Sequence, residues 1–168
     1  MTDLKFILRF LLLIVLQIIV LATFNFSQYV VLFFIPAAII CIPVRHGSIY
    51  ALVLAFIAGM LVDFFSDGML GLVTCALLPV AFTRDFLLKL IFGSDFFTHG
   101  EDLSIRRSGF GHVLFAVFLS TTLFITVYVI ADGAGTRPLW FNLARIAASS
   151  AASTLLSIFT VNVLASDR

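Results

Sequence analysis

The sequence predicts an all-α integral membrane protein: a six-transmembrane-helix bundle with both termini in the cytoplasm. Three observations lead there. Hydrophobic residues make up 62% of the 168 and charged residues only 11%, with a mean hydropathy of +1.19. A soluble domain is about half apolar and about a quarter charged. The apolar residues fall in six blocks, each expected to be long enough to cross a bilayer, which takes about 20 residues. Lysine and arginine gather at alternate breaks between the blocks, the pattern that orients a membrane protein. In lipid the backbone must satisfy its own polar groups, so the blocks read as helices.

The first helix is expected over residues 6–23, after Lys5 and just past the start at Arg9. A secretory signal would end in small residues. This run ends in Phe24-Asn25-Phe26 and more spans follow, so it reads as a retained helix. Asn25 to Gln28 break the chain. The second helix is expected over 29–44, with Pro36 inside it and Pro43 near its end. Arg45-His46-Gly47 is the next break, and the third helix covers 48–65. Ser66-Asp67-Gly68 is a turn by composition. The fourth helix covers 69–92 and contains Pro79 and the pair Arg84-Asp85. The one sizeable polar loop follows at 93–108, with Asp95, Glu101, Asp102, Arg106 and Arg107. The fifth helix covers 110–131, a Gly-containing turn runs from Asp132 to Pro138, and the sixth covers 139–164. The whole reads as a single transmembrane domain over 1–168, with no internal repeat.

With the N-terminus inside, Lys5, Arg9, Arg45, Lys89, Arg106, Arg107 and Arg168 all lie at or near the cytoplasmic face. Only Arg137 sits in an outer turn. The 93–108 loop is then cytoplasmic. The net charge of +1 and the lack of any basic run argue against a nucleic-acid partner. The bilayer is the main partner that composition implies. Cys41 and Cys75 fall in apolar blocks and read as buried thiols, with no metal-binding spacing. His46, His99 and His112 read as surface or interface residues. No nucleophile elbow, Walker loop or H-E-x-x-H occurs, so neither enzyme chemistry nor a cofactor is expected.

Charges inside spans are costly and are the first candidates for function. Asp63 and Arg145 both fall in outer halves, of the third and sixth helices. Either they pair, or Asp63 reaches the headgroups and Arg145 snorkels to them. Arg84 lies toward the inner end of the fourth helix, where snorkelling to cytoplasmic headgroups accounts for it. Gln17, deep in the first helix, is expected to hydrogen-bond the backbone or a neighbouring helix. Ala147 to Ser153 form a run of small residues that lets another helix approach closely, within the protein or outside it.

The stretch from Phe56 to Gly71 resembles the signature region of the MreD family of rod shape-determining membrane proteins. That family shows a glycine, an aspartate four residues on, a polar turn and a Leu-Gly entering the next helix. Here these are Gly59, Asp63, Ser66 to Gly68, and Leu70-Gly71. Softer matches are the Leu16-Gln17 pair, Pro36, Leu54-Ala55-Phe56 and Ala81-Phe82-Thr83-Arg84. The 93–108 loop is richer in charge than a minimal member's. The resemblance implies a non-catalytic part of the cell-wall elongation complex in the bacterial inner membrane. It implies association with an MreC-like bitopic protein. It also implies contact, directly or through that protein, with a RodA-type glycosyltransferase and the elongation penicillin-binding protein, and indirectly with the MreB cytoskeleton. Asp63 would pin the turn between the third and fourth helices, with Gly59 and Gly71 in the same close-packed pair. Ser66 and Gly68 would face the periplasm. A second reading, from a different class, is the substrate-binding membrane subunit of a vitamin-type energy-coupling-factor transporter, with a ligand near Asp63, Arg145 and Trp140.

Overall fold

The computed structural model describes residues 2–23, 31–42, 47–66, 69–93, 110–133 and 139–165. The described residues are helical apart from short connections. Among the described residues six helices occur in order: α1 (Thr2–Thr23), α2 (Ile35–Ile40), α3 (Gly47–Phe65), α4 (Leu72–Phe92), α5 (Phe110–Gly133) and α6 (Leu139–Ala165).

Six helices are not six spans. Four are long and apolar enough to cross a membrane: α1, α3, α5 and α6. α4 has the length, at 21 residues, but carries Arg84, Asp85 and Lys89 along its second half. α2 differs more from expectation. In place of a helix over 29–44, the chain is helical only from Ile35 to Ile40. Gly71 rather than Met69 is the residue that opens α4, as its N-cap. The predicted 93–108 loop lies outside the described residues except for Gly93, as do Gly68, His46 and His99.

The five long helices close into a ring. α3 packs on α4, α4 on α5, α5 on α6, α6 on α1, and α1 back on α3. α2 fills the middle, touches every other helix, and has all six of its residues buried. Ala51, Ala55 and Ala58 on α3 and Ala76 and Ala81 on α4 are fully buried. Side chains this small let backbones approach closely, which is how helices gain contact where lipid supplies no hydrophobic drive between them. The outside of the ring is bulky and apolar. Leu8, Leu12, Ile49, Phe82, Phe86, Leu155 and Phe159 all point outward, as suits a lipid-facing surface.

Length explains why α2 is broken. A helical run from 29 to 44 would reach about 24 Å, short of a hydrocarbon core of about 30 Å. Pro36 adds a second reason. It has no N–H and its ring clashes with the carbonyl four residues back, here that of Leu32. The chain therefore enters without helix over 31–34, and each such residue rises roughly twice as far as a helical one.

Non-helical backbone at membrane depth is tolerated only where protein satisfies it. Two helices do so here. On one side, Val31 N donates to Ser149 Oγ of α6 at 3.1 Å and Phe33 N to Ser153 Oγ at 3.1 Å. Ser153 Oγ also donates to Val31 O at 3.3 Å. On the other side, Gln17 of α1 donates from Nε2 to Leu32 O at 2.8 Å and accepts Phe34 N on Oε1 at 2.9 Å. Odd residues turn to α6 and even residues to α1, the two-residue alternation of extended chain. Gln17 thus serves the carbonyl that Pro36 leaves without a helical donor.

Ser153→Ala is expected to cost about 1–2 kcal/mol, in the range of membrane hydrogen bonds. It strands Val31 O and Phe33 N. Ser150→Ala removes only a bond to its own helix, at Ala147 O, and should cost less. Unfolding of the two variants in mixed micelles checks the difference. Equal losses would mean that the α6 serines do not support the 31–34 backbone.

Candidate functional site: the α3–α4 knot and the charges around it

α4 begins at Gly71, whose φ of 91° is a left-handed conformation that glycine adopts freely. A glycine N-cap has no side chain to accept the first free amides of the helix. Asp63, from the last turn of α3, accepts them instead. Its Oδ1 takes Val73 N at 2.9 Å, and its Oδ2 takes Thr74 N at 2.9 Å and Thr74 Oγ1 at 2.7 Å. An acidic group at a helix N-terminus is favoured by the helix dipole as well as by these bonds. Asp63 is only 2% exposed. Both oxygens are spent on α4.

Gly59, one turn earlier on α3, makes this reach possible. A Cβ placed there would sit 2.6 Å from Thr74 Cα. The backbones of α3 and α4 touch at that level because Gly59 has no side chain. Ser66 closes the end of α3, with its N donating to Val62 O at 2.9 Å.

At the opposite end of the hairpin the direction reverses. Asp85 of α4 reaches α3, where its Oδ2 accepts the Ser48 hydroxyl. Its Oδ1 accepts Arg84 Nη1 at 2.9 Å. Arg84 does not snorkel. It is 0% exposed and donates through Nη2 to Ile42 O, just past the end of α2. A cation at a helix C-terminus is favoured by the free carbonyls there, and a planar guanidinium can serve a carbonyl and a carboxylate together.

Arg145 does not pair with Asp63, and it does not snorkel either. It is 7% exposed and pairs with Asp132 near the end of α5, Nη1 to Oδ2 at 2.6 Å. Sequence reading placed Asp132 in a turn and so missed it as a partner; α5 in fact runs on to Gly133. Arg145 Nε and Asn142 Oδ1 are buried there without hydrogen-bond partners. Trp140 faces outward and is 83% exposed. Cys41 is buried as expected, but Cys75 is exposed on the outer surface of α4.

The candidates therefore fall into three groups. Gly59 and Asp63 meet Thr74 in the first turn of α4, which Gly71 opens, with Ser66 at the adjoining end of α3. Gln17 and Arg84 hold the two ends of the α2 segment. Arg145 stands with Asp132. The small run of α6 faces both ways: Ser149, Ser150 and Ser153 are buried, while Ala147, Ala148 and Ala151 are exposed. Only the serine side could have been tied to a broken second helix, and only by noticing that the 29–44 run is too short to cross.

Gly59→Ala is expected to lower stability by about 1–3 kcal/mol, because its methyl meets backbone rather than a side chain that can turn away. Asp63→Asn keeps one acceptor oxygen and should cost less than Asp63→Ala, which strands two buried amides. Denaturation in micelles ranks the three. A silent Gly59→Ala would sink the close-contact account.

No protein-family model, curated protein or solved structure matches the chain, so any functional reading rests on its own residues and their geometry.

Proposed function

We propose that this chain is a non-catalytic membrane component of a bacterial cell-wall elongation complex, of the MreD type, in the inner membrane. On this reading it supports cell shape by binding an MreC-like bitopic protein and, directly or through it, the RodA-type glycosyltransferase and the elongation penicillin-binding protein. The MreB cytoskeleton is reached indirectly. Both termini face the cytoplasm and the α3–α4 turn faces the periplasm.

One observation carries the reading. Of the residues that hold the resemblance, Gly59 and Asp63 meet in one packed knot with Thr74, and Gly71 opens the helix whose first amides Asp63 accepts. Asp63 has both oxygens committed to the start of α4. An aspartate used as an acid, a base or a ligand contact keeps an oxygen for its substrate. One used to shape a turn does not. The knot sets where the turn sits, and a neighbouring protein would read that shape.

The test is a detergent pull-down of the tagged protein from its native membrane, with crosslinking and mass spectrometry, for wild type and Asp63→Asn. Recovery of an MreC-like protein with the wall synthases, weakened in the variant, is the expected result. Recovery of an energy-coupling ATPase pair instead would overturn the proposal in favour of the transporter subunit. Recovery of neither set would also count against it.

A further inference from the structure

The geometry points to a binding site for one hydroxyl group between the end of α5 and the start of α6, held by Arg145 and Asn142. The site does not rest on the function proposed above. Two helices build it. Arg145 of α6 bonds Asp132 of α5, Nη1 to Oδ2 at 2.6 Å. Asn142 stands about one turn earlier on the same face of α6. It lies against the next residue of α5: a Cβ at Gly133 would sit 3.6 Å from Asn142 Nδ2 and 3.8 Å from its Oδ1.

Two polar atoms of this cluster, Arg145 Nε and Asn142 Oδ1, are buried without a hydrogen-bond partner. Buried polar atoms are nearly always paired, with protein or with an ordered molecule. The hydroxyls of Thr122 and Ser157 are also buried and unpaired, but a hydroxyl can turn to a carbonyl of its own helix. Thr121 and Thr154 do so, on Val117 O and Ser150 O. Arg145 Nε lacks that freedom. It belongs to a planar guanidinium that Asp132 already holds at Nη1. Turning the Asn142 amide over does not help, since it sets a donor where the acceptor now stands, and Nε is itself a donor.

The two atoms define the ligand. Nε offers a proton and Oδ1 accepts one, so the ligand must do both. Charge is already balanced between Arg145 and Asp132. A further anion would be repelled by Asp132, and a cation by Arg145. A lipid ester carbonyl only accepts and would leave Oδ1 bare. A hydroxyl accepts and donates through one oxygen. The Asp132 side chain is 29% exposed, so the cluster can be reached from outside the bundle. A membrane surface offers two sources of the group, water and the glycerol headgroup of a lipid such as phosphatidylglycerol. A buried water makes about three hydrogen bonds, and the Asp132 carboxylate has acceptor capacity left for a third.

The probe is water itself, in solid-state NMR of the full chain in vesicles, with arginine and glutamine isotope-labelled and proton magnetisation started on water. The Arg145 Nε signal is the one that Arg145→Lys removes. In phosphatidylcholine vesicles, whose headgroup has no hydroxyl, transfer from water to this signal is expected although Arg145 is 7% exposed. That result supports the site with water as its ligand. Transfer that appears only when phosphatidylglycerol is added supports it with the lipid hydroxyl, whose proton exchanges with water. Either transfer should be lost in Asn142→Leu, which keeps the bulk and removes the acceptor. No transfer in either vesicle overturns the inference, Arg145 and Asn142 then bonding each other directly. Transfer that survives Asn142→Leu also overturns it, because water then reaches Nε without being bridged. The Gln17 side-chain amide, bonded at both ends to 31–34, keeps its shift while the bundle is intact. If that shift moves in Asn142→Leu, the same comparison is decided with Asn142→Val.

Discussion

Every backbone amide and carbonyl inside a membrane has to find its partner in the protein, and the architecture follows from how this chain meets that demand where helix fails. Five helices meet it by themselves. The apolar run after Gln28 is too short to cross as helix and carries Pro36, so part of it is left extended. That part sits at the centre of the ring, where α1 and α6 can reach it from opposite sides. Had it lain at the edge, no side chain would have stood between its backbone and lipid. The inward polar face of α6 and the one amide of α1 make sense only together with the break in α2.

The α3–α4 hairpin shows the same demand at helix ends. Each helix lends an aspartate to the start of the other: Asp63 serves the amides of Val73 and Thr74, and Asp85 takes the Ser48 hydroxyl. The arrangement fixes both the separation and the sliding register of the two helices. Gly59 sets how close they come. Arg84 then ties α2 to this frame through Ile42 O, so the central segment is held from α1 and α6 at one end and from α4 at the other.

Composition carried most of the fold. Five of the helices lie close to where hydropathy and polar breaks put them, because a long apolar run in lipid has one way to satisfy its backbone. The second helix was misread for a physical reason. Hydropathy reports what a segment can dissolve in, whereas its length and its proline decide whether it can be helical throughout. The site was partly legible. Gly59 and Asp63 lie one helical turn apart on one face, which sequence spacing reveals. Two of the three donors to Asp63 are backbone amides, which no residue pattern encodes. An arginine near a helix end usually snorkels, which is the expectation for Arg84 and one of the two for Arg145, the other being a pair with Asp63. What turned them inward was a carbonyl at Ile42 and a carboxylate at Asp132, both supplied by other elements.

The reciprocal aspartates bear on how the chain enters the bilayer in the first place. A segment is judged during synthesis by its own hydrophobicity, and a charged residue toward its middle weighs against entry by up to about 3 kcal/mol. α3 arrives with Asp63 before its hydrogen-bond donors exist. α4 arrives with Arg84, Asp85 and Lys89. Paired across a turn of a few residues, the Asp63 carboxylate meets the free amides of α4, and Arg84 is offset by Asp85 on α4 itself. Entry as a pre-paired hairpin avoids exposing either burden to lipid alone, and the shortness of the Ser66–Gly71 connection leaves little time or chain for them to part.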